Sequence, residues 1–382
     1  MNVLLLSNDY TIAVSTAQCL EKEGHRIIMI GPESTRGIAL FSFCEIFYEA
    51  GEELFISGHE LVAVIKNLSR AHACDVLMPA DTRSIVFVSR NQQELKEIIN
   101  IAPVSSHKLI QQLDNKWSFY QLLLRLKQPS PETMFINDKD ISKVKNFKFP
   151  ALTKPLQQTG GTGIIYHQSW QEFTGQIEDL QLPVILQEYI PGRDIDCSVF
   201  SIEGEIKAWT IQEHVDLGLE FCRNDEILAV CSNILQPVGH SGVAHFDLRI
   251  DARDQSIKTL ECNPRFWASV NHSMEAGVNF PQLILRSACR ENLAGVASIS
   301  DNVCFIPTKK KLLLKSILLS PAERKRNITL FNSYLAYIKH NLAAEIFRII
   351  YQKNKTAAGK WFSICMKFRY SSKFRRTDQH IR

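Results

Sequence analysis

Ala244-His-Phe-Asp-Leu-Arg-Ile-Asp251, followed by Lys258-Thr-Leu-Glu-Cys-Asn-Pro-Arg-Phe-Trp267, is the stretch on which the chain is organised. It predicts a strand ending in Asp247, a turn through Asp251-Ala-Arg-Asp-Gln255, and a return strand ending in Glu261, then Asn263 and Arg265. Such a hairpin brings four polar side chains together at one end. Two carboxylates and an amide oxygen form a hard-oxygen set suited to Mg2+, which takes one or two carboxylates and completes its shell with water and substrate phosphates. The neighbouring guanidinium supplies forked donors for phosphate oxygens. A lone carboxylate at a strand end is ordinarily just solvated, so the weight rests on Glu-x-Asn-Pro-Arg closing an apolar run and on the motifs upstream.

Upstream, Phe149-Pro-Ala-Leu-Thr-Lys-Pro155 reads as a strand carrying Lys154 and leads into Leu156-Gln-Gln-Thr-Gly-Gly-Thr-Gly-Ile164. Gly160, Gly161 and Gly163 let the backbone turn its N–H groups towards an anion. Here the lysine precedes the glycines, the reverse of G-x-x-x-x-G-K-[ST], and a plain glycine-rich hairpin is the competing reading. Val184 to Phe200 is two apolar runs joined at Pro191-Gly192. The ordinary expectation there is a hairpin with a Pro-Gly turn. The same connecting backbone, with Gln187 beside it, could bind an adenine edge, and Asp194 could accept from ribose hydroxyls. Lys116 lies in Leu113-Asp-Asn-Lys-Trp-Ser-Phe119, within a helical region from Ser105 to Leu126 that Pro129-Ser-Pro131 ends.

The first hundred residues predict a parallel sheet. Asn2 to Leu6 and His25 to Ile30 are apolar runs around a helical segment, Thr11 to Glu23, which implies a right-handed strand, helix, strand unit. Its first turn, Ser7-Asn-Asp-Tyr10, lacks G-x-G-x-x-G, so a nicotinamide cofactor has no motif to stand on. His59 to Ala73 reads as a helix and Val76 to Pro79 as a strand ending at Asp81, either a substrate contact or, more commonly, a turn-forming residue. Asn91 to Ile101 looks helical. Gly239-His-Ser-Gly242 fails as a nucleophile elbow because Val243 stands where glycine is needed.

In order, Lys116, Lys154, Gly160-Gly161-x-Gly163, Gln187-Glu-Tyr-Ile-Pro-Gly-x-Asp194, Asp247 and Glu261-x-Asn263-Pro-Arg265 resemble the ATP-grasp superfamily. The likeness is greatest to the branch of the carbamoyl phosphate synthetase large subunit and the bacterial carboxylate-amine ligases, and it covers about residues 1 to 300. It implies an α/β and α+β chain. A Rossmann-like pre-ATP-grasp domain (1–103) precedes a two-subdomain ATP-grasp domain (104–300) with a lid at about 128–190, and a basic, mostly helical extension (301–382) follows. It further implies ATP and Mg2+, with Mn2+ as a substitute. Lys116 and Lys154 would lie on the α- and β-phosphates under the 160–163 loop. Gln187, Glu188 and Ile190 would form the adenine hinge, with Asp194 at the ribose. Asp247, Glu261 and Asn263 would hold metal, and Arg265 would face the transferred phosphoryl group, Lys154 and Arg265 being the catalytic pair. The implied reaction joins a small carboxylate to an amine through an acylphosphate. The rival is a nucleotide-binding protein without turnover; an ATP-grasp kinase or carboxylase would share the nucleotide half. Asn115-Lys116 replaces the commoner Asp-Lys, and a further phosphate-directed basic residue could be Lys207, Arg223 or Arg249. Substrate identity is assigned to the first domain and to side chains around Asp81, His214, Trp267 and His272.

Composition sets the outer bounds. With 382 residues, 45% hydrophobic and 22% charged, the chain can bury cores for two or three domains without covalent staples. Its 10 cysteines show no C-x-x-C pair, which reads as reduced thiols in a cytoplasmic protein. The N-terminal apolar run lacks a basic flank and reads as a core strand rather than a signal peptide, and no run is long enough to span a membrane. From Lys309 to Arg382 there are 18 Lys+Arg against 3 Asp+Glu, so residues 1–308 are net negative. Within that segment Leu335, Ile338, Leu342, Ile346 and Ile349 form an apolar stripe in a helical run from Leu330 to Tyr351. It reads either as a helix docked on the enzyme or as peripheral attachment to an anionic inner membrane surface or a partner protein. Trp361 to Tyr370 interleaves aromatic and basic residues, but no nucleic-acid fold signature accompanies them, and none is expected as partner. A homodimer is the default assembly.

Overall fold

The computed structural model describes residues 1–158, 160–215, 218–293 and 304–307, together with Leu342, Ile346, Ile349, Ile350, Trp361, Phe362 and Cys365. It is a mixed α/β chain with one parallel and two antiparallel sheets, in two compact units. The first comprises Met1–Ala102 with Ala268–Asn271 and the segment from Pro307; the second comprises Pro103–Trp267 and His272–Ile306.

In the first unit, strands β1 (Asn2–Leu6), β2 (Arg26–Gly31), β3 (Cys44–Glu49), β4 (Val76–Pro79) and β5 (Asn100–Ile101) form a sheet in the order β3-β2-β1-β4-β5. All its pairings are parallel. Val3 to Leu6 and Ile27 to Ile30 are buried, as continuous apolar runs covered on both faces must be. The expected helix from Asn91 to Ile101 is instead the short helix Gln92–Lys96 and the edge strand β5. Pairing of Asn100 and Ile101 with Val76 and Leu77 overrides the local helical pattern. Asp81 proves to be the cap of helix Thr82–Arg90: its carboxylate accepts from the Arg83 and Ser84 amides and from the Asn8 amide. These bonds occupy the side chain that sequence left between turn and substrate contact.

The second unit holds the other two sheets. A four-stranded sheet runs β6-β9-β7-β8, from β6 (Thr133–Ile136), β7 (Ala151–Pro155), β8 (Ile165–His167) and β9 (Val184–Glu188). A six-stranded sheet runs β14-β13-β10-β11-β12-β15, from β10 (Gly192–Ile202), β11 (Glu205–Val215), β12 (Gly218–Cys222), β13 (Gly242–Asp251), β14 (Ile257–Asn263) and β15 (Cys304–Pro307). The hairpin expected at Pro191-Gly192 is therefore a crossing between sheets, because β9 pairs with β6 and β7 while β10 pairs with β11 and β13. Nor is this connection exposed throughout, since Ile190 is buried.

Alternation along the large sheet separates core from site. Ile195, Cys197, Val199, Ile211, Ala244, Phe246 and Cys262 point to one face, where helices His107–Asp114, Lys116–Arg125 and Asp225–Leu235 pack with Leu113, Phe119, Leu122, Cys231 and Ile234. The intervening residues Asp194, Asp196, Ser198, Gln212, His214, His245 and Asp247 share the opposite face. The helical region read from Ser105 is two helices, divided because Asn115 turns the chain and its side chain accepts from the Trp117 and Ser118 amides. An amide oxygen serves this cap as a carboxylate would, which explains why Asn115 can replace aspartate before Lys116.

Of the basic extension, Leu342, Ile346, Ile349 and Ile350 are helical, and the Arg36 guanidinium lies 5.5 Å from the Phe362 ring centroid. The remainder of the expected helix lies outside the described residues. Among the described residues no helix is long and apolar enough to cross a membrane.

Candidate functional site

The hairpin of β13 and β14 sets Asp247 directly opposite Glu261 and His245 opposite Asn263. Leu260 is the extra residue of a bulge next to this pair, so Glu261 and Asp247 share a face although the pairing beyond them shifts by one. Like charges so placed repel unless something intervenes. Here the two carboxyls share a hydrogen bond. Desolvation and the adjacent Glu261 push the Asp247 carboxyl well above the usual carboxylate range. Desolvation also acts upward on Glu261, but the Asp247 hydrogen bond and the Lys116 and Lys154 ammonium groups outweigh it and hold that carboxyl well down.

Lys116 reaches this pair directly, and Lys154 lines the same cavity. Lys116, the first residue of its helix, is buried, with Nζ 2.8 Å from Glu261 Oε2 and 2.9 Å from the Gln158 carbonyl oxygen. Lys154, on β7, donates at 2.8 Å to Gln187 Oε1 on the neighbouring β9. Burial lowers the Lys154 ammonium to about 8, against the pull of Glu261, because its direct partner is a neutral amide. Gln187 is itself buried and donates to Thr133 Oγ1 at 3.1 Å. Its amide is thus spent in holding Lys154, which the sequence assigned instead to reading adenine.

Lys116, Lys154, Asp247 and Glu261 line a cavity of about 290 Å³ together with Gly161, Thr162, Asp194, Asp196 and His214. Gly160, Gly161 and Gly163 have φ of 64°, 75° and 74° in the connection between β7 and β8, a backbone that residues with a Cβ rarely adopt. Glu188 holds its backbone amide on the Glu132 carbonyl and its carboxylate on Arg253. Ile190 is buried, and its amide has no hydrogen-bond partner among the described residues, while its carbonyl accepts from Arg249. Asp194 pairs with Arg249 Nε at 2.9 Å. Of the three basic residues left open, Lys207 pairs with Glu205 and Arg223 with Asp225, whereas Arg249 joins the crossing between the sheets and lies 5.3 Å from the Tyr189 ring centroid. Asn263 and Arg265 form a relay rather than lining the cavity: Arg265 Nη2 donates to Asn263 Oδ1 at 2.9 Å, and Asn263 Nδ2 donates to Glu261 Oε1 at 3.3 Å.

Sequence reading did not assign Asp196 or His245. Asp196 lies opposite Asp247, and Ser198 opposite His245, in the β10 and β13 pairing. Asp196 Oδ2 accepts from Gln212 Nε2 at 2.9 Å and lies 2.6 Å from His214 Nε2. The Asp196 hydrogen bond raises the His214 imidazole above its ordinary value. The available signal was the His-x-Asp spacing on a strand already singled out, but its partner lies some fifty residues away.

Residues 113–216 match the model of the RimK-like ATP-grasp domain, and residues 181–303 match that of the ATP-grasp in the biosynthetic pathway with Ter operon. D-aspartate ligase of Enterococcus faecium (strain Aus0004) is 25% identical over 214 residues, 47% of this chain and 50% of that ligase. The arginine-specific carbamoyl phosphate synthase large chain of Geobacillus stearothermophilus is 22% identical over 278 residues, 67% of this chain and 25% of that one. The crystal structure of an L-amino acid ligase from Bacillus licheniformis superposes with a TM-score of 0.59 at 15% identity, covering 78% of this chain and 77% of that one. An ATP-grasp domain thus covers residues 113–303 of the chain. The chain spans half or less of the length of these two curated relatives.

Proposed function

We propose that the protein is an ADP-forming ligase that activates a small carboxylate with ATP and joins it to an amine. The observation that carries this reading is that Lys116, Lys154, Asp247 and Glu261 line one cavity, with Lys116 paired to Glu261. Two carboxyls that must share a proton to coexist fit a divalent cation, whose charge lets both ionise. Asp247 and Glu261 would hold Mg2+, with the Asn263 oxygen recruited if Arg265 swings to phosphate. The ion would neutralise charge on the β- and γ-phosphates.

In this reading the N-terminal unit is the Rossmann-like domain, residues 104–300 the ATP-grasp domain, and about 128–190 its lid. The unpartnered Ile190 amide and the Glu188 backbone form the adenine hinge, and Asp194, oriented by Arg249, meets the ribose. Lys116 and Lys154 take the α- and β-phosphates, with Gln187 positioning Lys154. The substrate carboxylate oxygen attacks the γ-phosphorus, the bond to the ADP oxygen breaks, and an acylphosphate forms. The amine nitrogen then attacks the carbonyl carbon, phosphate leaves and the amine loses a proton. Arg265 and the lysines stabilise charge, and the 160–163 loop excludes water from the acylphosphate. The name and activity of the D-aspartate ligase and the structural likeness to an L-amino acid ligase support an amino acid or similar small carboxylate as substrate.

The test is ADP and phosphate release from ATP and Mg2+ across pooled carboxylic acids and amines, with Glu261→Ala as blank. Release that depends on one carboxylate pool and vanishes in the variant supports the ligase. ATP binding without release above the blank in any pool favours a nucleotide-binding protein instead.

A further inference from the structure

Beside the lysine and carboxylate cluster is a second constellation, of which the ligase reading uses only Asp247. Asp196, His245 and Asp247 each offer one ligand atom, and these atoms lie within 4.8 Å of one another. His245 Nε2 is 3.6 Å from Asp196 Oδ2 and 3.4 Å from Asp247 Oδ1. A metal about 2.0–2.2 Å from nitrogen and carboxylate oxygen separates tetrahedral ligands by roughly 3.3–3.6 Å, which the two distances from His245 match.

The imidazole is held for this role from behind. Its Nδ1 is 2.8 Å from Ser198 Oγ, and its ring stacks on Trp267 with centroids 5.1 Å apart and planes 12° apart. With Nδ1 engaged, Nε2 is left to face the two carboxylates, and it makes no hydrogen bond among the described residues although His245 is only 8% exposed. An imidazole nitrogen fixed by a bond to its other nitrogen and aimed at carboxylates is the usual arrangement of a metal ligand and its support. Asp196 is held by Gln212 and His214, both through Oδ2, which leaves its Oδ1 without a hydrogen bond among the described residues. The Gln212 Oε1 atom is buried and has no hydrogen-bond partner among the described residues, an acceptor suited to a water carried on the ion.

We propose that Asp196, His245 and Asp247 bind a first-row transition-metal ion of the Mn2+, Co2+ and Zn2+ class, with its open coordination positions on the cavity. Imidazole is a poor ligand for Mg2+, which prefers oxygen throughout, and a good one for these ions. Three protein ligands and an open position are the pattern of a reactive rather than a structural site, and the cavity lined by Asp196, His214 and Asp247 gives that position access. A carboxylate or amine of the acceptor substrate is the ligand class that would complete the shell. Asp247 is common to this site and to the nucleotide metal, whereas Glu261 belongs to the latter. Metal binding here does not depend on ligase turnover, so the proposal stands or falls apart from that reading.

The full-length chain, stripped of metal and free of nucleotide, is titrated with Co2+ and followed by its visible d–d absorption. The expected result is one saturable site per chain, weakened at least about tenfold in His245→Gln and in Asp196→Asn, and retained in Glu261→Gln. Asp196→Asn is nearly isosteric, so it serves if His245→Gln does not fold. Ser198→Ala, which frees the imidazole without removing it, is expected to weaken Co2+ binding by a smaller factor. The proposal is overturned if no site saturates, or if Co2+ binding is indifferent to His245 and Asp196 but lost with Glu261. ATP binding in Mg2+, measured separately, reports on the nucleotide reading alone.

Discussion

Two aspartates, one in each unit, have opposite surroundings. Asp81, just beyond a parallel strand, accepts three backbone amides and the Ser84 hydroxyl. Asp247, on an antiparallel strand, faces Glu261, and an imidazole nitrogen that does not hydrogen-bond to it. The first carboxylate is satisfied by the fold; the second is satisfied only by a proton or a cation. A satisfied carboxylate stabilises, and an unsatisfied one marks a place where something binds.

The largest expected effect tests the second half of that contrast. Asp247→Asn should lower ADP release by about 100-fold or more, as loss of a charge-stabilising group does. A carboxyl raised above its unfolded value contributes stability that is complete below the unfolded value and is lost as pH rises towards the folded one. Asp247→Asn removes that loss, so the metal-free variant should melt no lower than the parent at pH 7. A marked fall in melting temperature would make Asp247 structural.

Asp81→Ala should do the reverse. Loss of the cap costs about 1–2 kcal/mol, seen in a denaturant titration, while turnover at saturating substrate stays unchanged. A selective rise in KM for one substrate would reinstate Asp81 as a contact.

Next is the pH response of nucleotide binding. With the Lys154 ammonium lowered to about 8, its charge is present at pH 7 and mostly gone at pH 9. ATP affinity should therefore weaken by about tenfold over that interval, and Lys154→Arg should flatten the profile because a guanidinium stays charged. An unchanged slope in the variant would assign the titration to another group. The same lowered ammonium makes the folded state bind fewer protons than the unfolded between about 8 and 10.5, so its contribution to stability rises with pH across that window.

The smallest effect is expected at Arg249. Its partner Asp194 is 54% exposed, so the pair is screened and worth less than about 1 kcal/mol. Arg249→Met should change ATP affinity only a few-fold, and by less at high salt. A larger loss would mean that the guanidinium itself meets phosphate.

Local sequence carried much of this. The strands β1, β4, β13 and β14 and the two lysines were legible because apolar runs, strand periodicity and motif spacing are near-neighbour properties. The parallel pairing of β1 with β2 followed from the helix between them. Where neighbours compete, the sequence misled: the helical pattern before Ile101 yielded to sheet pairing, and the Pro-Gly bend joined two sheets instead of closing one hairpin.

By itself, then, the sequence determined the ATP-grasp resemblance and the order of its motifs, since each motif is contiguous or ordered along the chain. Only the tertiary structure decided what those side chains spend their bonds on: Gln187 on Lys154, Asn263 on Arg265 and Glu261, Asp81 on backbone amides. Only it placed Asp196 opposite Asp247 and Ser198 opposite His245. The physical reason is register: an antiparallel pairing brings residues fifty positions apart into contact, and a shift of one residue would have turned the same side chains into the core.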